Sequence, residues 1–216
     1  MIKLLVTDLD DTLYSWIGFF IPAFYGMLDE LSLILSVSKS DLLDEYQHVH
    51  QEKGSVEYPF ATLYLPSVKA AYPGKTKEEL LNILNPVFHK FNSIRKKKLE
   101  LYPGVKETLE KIAGMGIKVV GYTDSAEENG FYRLKRLGID DYFQSVYVSD
   151  SQFELPDYLP ASEKTQIVHG KKPNPAVIHK ICQQESVAIG EIVYLGDSLT
   201  KDVYMARRAG ALSVLC

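Results

Sequence analysis

The sequence of 216 residues predicts an α/β fold, a doubly wound parallel sheet with a helical domain inserted after the first strand. Three observations predict it. The chain opens on a short apolar run, residues 2–6, that ends in a cluster of carboxylates, as a buried strand does where it meets a loop. From about residue 101, strand-length apolar runs alternate with helix-length periodic ones, the pattern of parallel sheets. Between these parts, residues 14–98 show helical spacing and nothing that reads as a strand.

The elements come in this order. After the strand at 2–6 come aromatic and aliphatic residues to 35, then polar residues at helical spacing to about 51. Residues 75–91 form one predicted helix, with Leu80, Leu81, Leu84, Val87, Phe88 and Phe91 approximating one apolar face. The inserted block is roughly eighty residues, the size of a small domain. The predicted division is therefore 1–13 with 99–216 for the α/β part and 14–98 for the inserted part. Trp16, Phe19, Phe20 and Phe24 read as helical core, or as residues some of which face the loop after the first strand. Arg95, Lys96, Lys97 and Lys98 read as a solvated hinge, with a site for phosphate groups or an acidic partner as the alternative.

Residues 103–113 predict a helix with Pro103 at its first position. A strand at 117–122 and a helix at 125–137 closed by Gly138 come next. Val146 and Val148 mark another strand. Helices are predicted at 173–184 and 200–208, with strands at 192–195 and 212–215. The segment at 150–170 reads as a flap or surface loop. The last strand either lies at the sheet's edge or is followed by further chain.

Bulk properties narrow the function classes. The formal net charge of −4 gives no general attraction to nucleic acid or to anionic membranes. Cys182 and Cys216 make no disulfide framework and suggest a reducing, cytoplasmic setting. No signal peptide is read at the start. The longest uncharged run, 12–28, contains Gly18, Pro22 and Gly26 and falls short of a membrane span. The chain is expected as a monomer or homodimer.

The chemistry sits at strand ends. Asp8 and Asp10 are two residues apart where the first strand stops. Two crowded carboxylates repel, so such a pair calls for a cation or a shared proton. Both suit phosphoryl chemistry: Mg2+ takes carboxylate and phosphate oxygens, and a protonated carboxyl can serve a leaving group. A polar turn with Asp11 and Thr12 capping a helix is the plainer alternative. Thr123, Asp124 and Ser125 stand after the second strong strand, where a hydroxyl and helix amides suit a phosphate. Lys172 precedes a proline-started helix and can neutralise both a nucleophile and a phosphoryl group; Lys171 is its rival. Asp197 and Asp202 form a second acidic pair after Gly196, whose lack of a side chain gives the backbone room.

These stretches resemble, in order, the four motifs of the haloacid dehalogenase superfamily: Asp8-x-Asp10-x-Thr12, Thr123 at a strand end, Lys172-Pro-x-Pro, and Gly196-Asp-Ser-x-x-x-Asp202. The resemblance covers 1–11 and about 101–216. It implies a Rossmann-like core, and it makes the helical block a C1-type cap that closes over the site. One departure is the gap of about two dozen residues before Lys172, wider than the family usually shows.

The resemblance also implies roles. Asp8 attacks phosphorus and forms an aspartyl-phosphate, and Asp10 is the acid and base. Thr123, Asp124 and Lys172 hold the phosphoryl group. Mg2+ is held by Asp8, the backbone carbonyl of Asp10 and Asp197, with Asp202 orienting Asp197 or coordinating through water. The expected activity is hydrolysis of a phosphomonoester, a small phosphorylated metabolite. A phosphomutase and a non-catalytic binding protein on the same fold are the alternatives. Dehalogenation is disfavoured because such relatives lack the counterpart of Asp10.

Overall fold

The computed structural model describes residues 1–58, 60–150 and 162–216. It divides into two units, residues 1–16 with 99–216, and Ile17–Lys98.

The first unit begins with β1 (Leu4–Thr7), whose four residues are all buried. Apolar side chains on both faces are what a central parallel strand requires. The chain leaves the unit soon after β1.

The second unit starts with α1 (Trp16–Leu35). The helix runs unbroken through Gly18, Pro22 and Gly26, so the run that reads as interrupted in sequence is one helix. Pro22 removes one backbone hydrogen bond, and packing compensates. Ala23, Leu28 and Leu31 are fully buried. By length and composition α1 could cross a membrane; its inner face instead joins the core of the helical unit. Phe20 and Phe24 stack with ring centroids 6.0 Å apart. Phe24 also meets the Tyr46 ring at 5.0 Å, and Phe20 the Phe91 ring at 6.0 Å. Phe20 is buried, and Phe24 packs, partly buried, against the core of this unit.

The unit continues with α2 (Lys39–Lys53), α3 (Pro66–Ala71), α4 (Lys77–Ile83) and α5 (Asn85–Lys98). Ser38 caps α2 by accepting the Asp41 N–H, and Thr76 with Glu79 forms a capping box on α4. The single helix expected over 75–91 is two. Pro86 offers no N–H and its ring clashes with the preceding turn, so the chain stops and restarts with Pro86 in the first turn of α5. No strand occurs in this unit among the described residues.

Back in the first unit, α6 (Val105–Gly114) starts two residues later than expected. Gly104 has a φ of 84°, a left-handed turn that defers the helix and leaves Pro103 outside it. Next come β2 (Lys118–Ala126), α7 (Glu127–Leu137) and β3 (Ser145–Ser149). β2 outruns its predicted end by four residues, so Ser125 belongs to the strand and not to the helix.

β4 (Thr165–Val168) corrects the reading of 150–170 as a loop, since its last part is a strand. It is short, half polar and at the sheet's edge, so it carries no clear alternation. The stretch 151–161 lies outside the described residues. The unit closes with α8 (Pro175–Glu185), β5 (Ile192–Gly196), α9 (Tyr204–Ala209) and β6 (Leu212–Leu215). A wide π-type turn over Leu199–Val203 replaces the first turn of the helix expected from 200.

Among the described residues the six strands form one parallel sheet in the order β4-β3-β2-β1-β5-β6. β6 is an edge strand. Val6 pairs with Val120 on one side and Tyr194 on the other. The core between sheet and helices includes Leu4, Val6, Ile178, Ile181, Ile192 and Met205. All strands run the same way, so β1, β2 and β5 deliver the residues after them to one edge.

Candidate active site

Asp8 is the first residue after β1, and its N–H bonds to the Leu195 carbonyl at 2.8 Å. Its carboxylate is buried and takes two donors: Lys172 Nζ to Oδ1 at 2.5 Å and Thr12 Oγ1 to Oδ2 at 2.9 Å. Burial raises its pKa, Lys172 pulls it down, and the neighbouring Asp202 and Asp10 push up, leaving it at about 6. Asp8 is therefore a carboxylate at neutral pH.

Lys172 is buried, whereas Lys171 is exposed. Its ammonium lies 2.5 Å from Asp8 Oδ1 and 2.9 Å from Asp202 Oδ1, above the rings of Tyr122 and Tyr194 at 5.0 and 5.6 Å. Burial works against its charge, but Asp8 and Asp202 together outweigh it and hold the pKa above the usual lysine value. Asp202 also accepts Tyr194 Oη at 3.0 Å and the Ser198 N–H at 3.2 Å. A side chain on Gly196 would stand 2.4 Å from Asp202 Cγ, so only glycine lets this carboxylate lie against β5.

Asp8, Asp197 and Asp202 each offer a carboxylate oxygen within 4.8 Å of the others. Asp197 is exposed, and burial, Asp202 and Asp11 raise its pKa. Three hard oxygen donors whose charges oppose one another fit a small divalent cation such as Mg2+.

The Asp10 carboxylate does not join that group. Its Oδ1 takes Arg133 Nη1 at 2.6 Å, and its Oδ2 takes Thr123 Oγ1 at 3.0 Å and Ser125 Oγ at 2.9 Å. Tyr14 is buried nearby; burial and the charge of Asp10 hold its phenol well above the ordinary value. Thr123, expected on phosphate, thus has its hydroxyl on Asp10, and it accepts the Ser125 N–H at 3.0 Å. The β2–β3 pairing shifts register between Tyr122 and Ala126, so this stretch leaves the ladder and turns its side chains to Asp10.

Asp124, also expected at the phosphate, has its carboxylate on other partners. Its carboxylate accepts the Lys172 N–H at 2.8 Å and Lys201 Nζ at 3.1 Å. A carboxylate only accepts and repels phosphate, so this side chain braces the Lys172 loop. Asp11 takes the capping role, accepting the Trp16 N–H at 2.8 Å from a left-handed backbone.

The structure brings Asp8, Lys172, Asp197 and Asp202 together and sets Asp10 beside Thr123 and Ser125. The sequence reading does not pick out Arg133, Tyr14, Tyr194 or Lys201 as site residues. A signal for Arg133 exists: Gly130, Arg133 and Leu134 share the buried face of α7, and an arginine there needs a charged partner.

A family model described as haloacid dehalogenase-like hydrolase matches residues 2–210. Among curated proteins, the glyceraldehyde 3-phosphate phosphatase of Methanopyrus kandleri is 28% identical over 99% of this chain and 83% of the relative. The phosphoglycolate phosphatase of Nitrosococcus oceani is 32% identical over 56% of this chain and 45% of the relative. Among solved structures, the 2-haloacid dehalogenase of Pseudomonas syringae pv. tomato covers 100% of this chain and 86% of its own, at a TM-score of 0.64 and 22% identity. At that identity the likeness concerns the fold.

Proposed function

Because the chain belongs to the haloacid dehalogenase-like hydrolases, we propose that it hydrolyses small phosphomonoesters, with Asp8 as nucleophile and Asp10 as acid and base. The observation that carries this reading is the buried Asp8 carboxylate held 2.5 Å from Lys172 beside Asp197 and Asp202. Buried like charges and a lysine at one strand edge suit a phosphoryl group and a cation better than they suit stability.

The reaction runs in two halves. Asp8 attacks phosphorus, the bond from phosphorus to the ester oxygen breaks, and Asp10 gives that oxygen a proton. Water then attacks the aspartyl-phosphate, Asp10 takes its proton, and inorganic phosphate leaves with Asp8 restored. Arg133 can only donate, so Oδ1 of Asp10 stays an acceptor; Oδ2, facing hydroxyls that both donate and accept, handles the proton. Lys172 offsets charge on Asp8 before attack and on the phosphoryl oxygens after it. A bound Mg2+ would be held by Asp8, the backbone carbonyl of Asp10 and Asp197, with Asp202 beside them, and would supply further charge neutralisation.

Short-chain phosphomonoesters fit the names of the relatives, glyceraldehyde 3-phosphate phosphatase and phosphoglycolate phosphatase. In this reading Ile17–Lys98 is the cap that selects among them. The test is phosphate release from a panel of phosphorylated metabolites, those two included, with Mg2+ and with chelator. Release that needs Mg2+ supports the reading; no release from any phosphomonoester overturns it.

A further inference from the structure

We infer that Arg133 is a positioning residue of this site, which fixes the plane and reach of the Asp10 carboxylate. The inference rests on the phosphatase reading and adds a residue to it. The Arg133 side chain is 1% exposed and comes from within α7, whereas Asp8, Asp10 and Asp197 follow the ends of strands. Gly130, one turn earlier, makes its approach possible: a side chain there would stand 3.1 Å from Thr123 Cγ2, so the helix lies close against the end of β2.

Arg133 Nη1 makes two contacts at once, to Asp10 Oδ1 at 2.6 Å and to Ser125 Oγ at 3.0 Å. Ser125 in turn donates to Asp10 Oδ2 at 2.9 Å. The ring of bonds from arginine through carboxylate and hydroxyl back to arginine holds both oxygens of Asp10. A carboxylate fixed at only one oxygen could turn about its last bond. A purely structural ion pair here would be a poor choice, because burying an arginine costs stability that apolar packing would not. The arrangement makes sense if its product is the direction in which Asp10 Oδ2 faces.

The test uses the full chain with Arg133→Met and Arg133→Lys, each alone and with Asp10→Asn, read by melting temperature and by kcat and KM on nitrophenyl phosphate and an alkyl phosphate. We expect Arg133→Met to stay folded and lose about a hundredfold in kcat on the alkyl phosphate, the scale of a misplaced catalytic group. KM should change little, the loss on nitrophenyl phosphate should be smaller, and Arg133→Lys should recover part. With Asp10→Asn already present, Arg133→Met should cost almost nothing more. Full kcat in folded Arg133→Met, or an equal further loss in the Asp10→Asn background, overturns the role while leaving the phosphatase reading intact. If Arg133→Met does not fold, Arg133→Gln carries the same comparison, and wild-type kcat there overturns the role. An unmodified protein that releases no phosphate instead overturns the phosphatase reading.

Discussion

Lys172 Nζ lies 2.5 Å from Asp8 Oδ1 although 164 residues separate them in the chain. The two meet because β1 lies in the middle of the sheet and the loop before α8 returns to the same edge. The pair gives the buried Asp8 carboxylate a counter-charge, which suits the nucleophile's role proposed for it.

Asp8→Asn should abolish turnover with the fold intact, since an amide of similar size is a poor nucleophile. Melting temperature and phosphate release on one preparation check this. Appreciable activity in the well-folded variant would remove Asp8 from the nucleophile's role.

Asp10→Asn should lose roughly two or more orders of magnitude in rate, the scale of general acid–base catalysis. The loss should be smaller for nitrophenyl phosphate, whose leaving group needs little protonation. Equal losses on nitrophenyl and alkyl phosphates, with the first step limiting, would speak against the acid role.

Mg2+ affinity should depend on pH. Without metal, Asp8 titrates at about 6, raised by burial and by Asp202. Below that value the native site binds a proton that Mg2+ must displace. Affinity should therefore fall as pH drops through 6, approaching about tenfold per pH unit well below it. Calorimetry at pH 5 and pH 7.5 in buffers of different ionisation enthalpy would read both the affinity and the released proton. An affinity equal at the two values would contradict the assignment.

Gly196→Ala should damage the site without touching a charged group. The new methyl would stand 2.4 Å from Asp202 Cγ, and Asp202 is held by Lys172, Tyr194 and Ser198. Overpacking of this kind costs about 1–3 kcal/mol, and displacement of Asp202 should lower kcat by about a hundredfold. Wild-type melting and rate would show that Asp202 yields freely.

Phe20→Ala should cost about 3–5 kcal/mol of stability, as expected for a buried ring, because Phe20 packs on Phe24 and Phe91 in the helical core. Activity on nitrophenyl phosphate per folded molecule should persist. An unchanged melting temperature with a new substrate ranking would make Phe20 a selectivity residue.

Several features were legible because their signals are local. The apolar run before Asp8 is a strand by its own composition, and the alternation after residue 101 forces a parallel sheet. Parallel strands all point their C-terminal ends at one edge, so Asp8, Thr123 and Asp197 had to lie near one another. Where local signals failed, a neighbour had decided. Pro86 split a helix whose apolar spacing ran straight through it, and Gly104 delayed another. β4 is a strand through its pairing with β3, not through its own four residues.

The sequence by itself determined the type and order of most elements, the acidic pairs and their places at strand ends. Periodicity and strand direction act within a few residues, so they can be read one stretch at a time. Only the tertiary structure laid Lys172 rather than Lys171 against Asp8, gave Thr123 to Asp10, turned Asp124 to Lys172 and Lys201, and brought Arg133 from α7 to Asp10. Each of those depends on side-chain reach between elements that the order β3-β2-β1-β5 makes neighbours. A buried charge goes where its partner lies, and that place is set by the packing of the whole sheet.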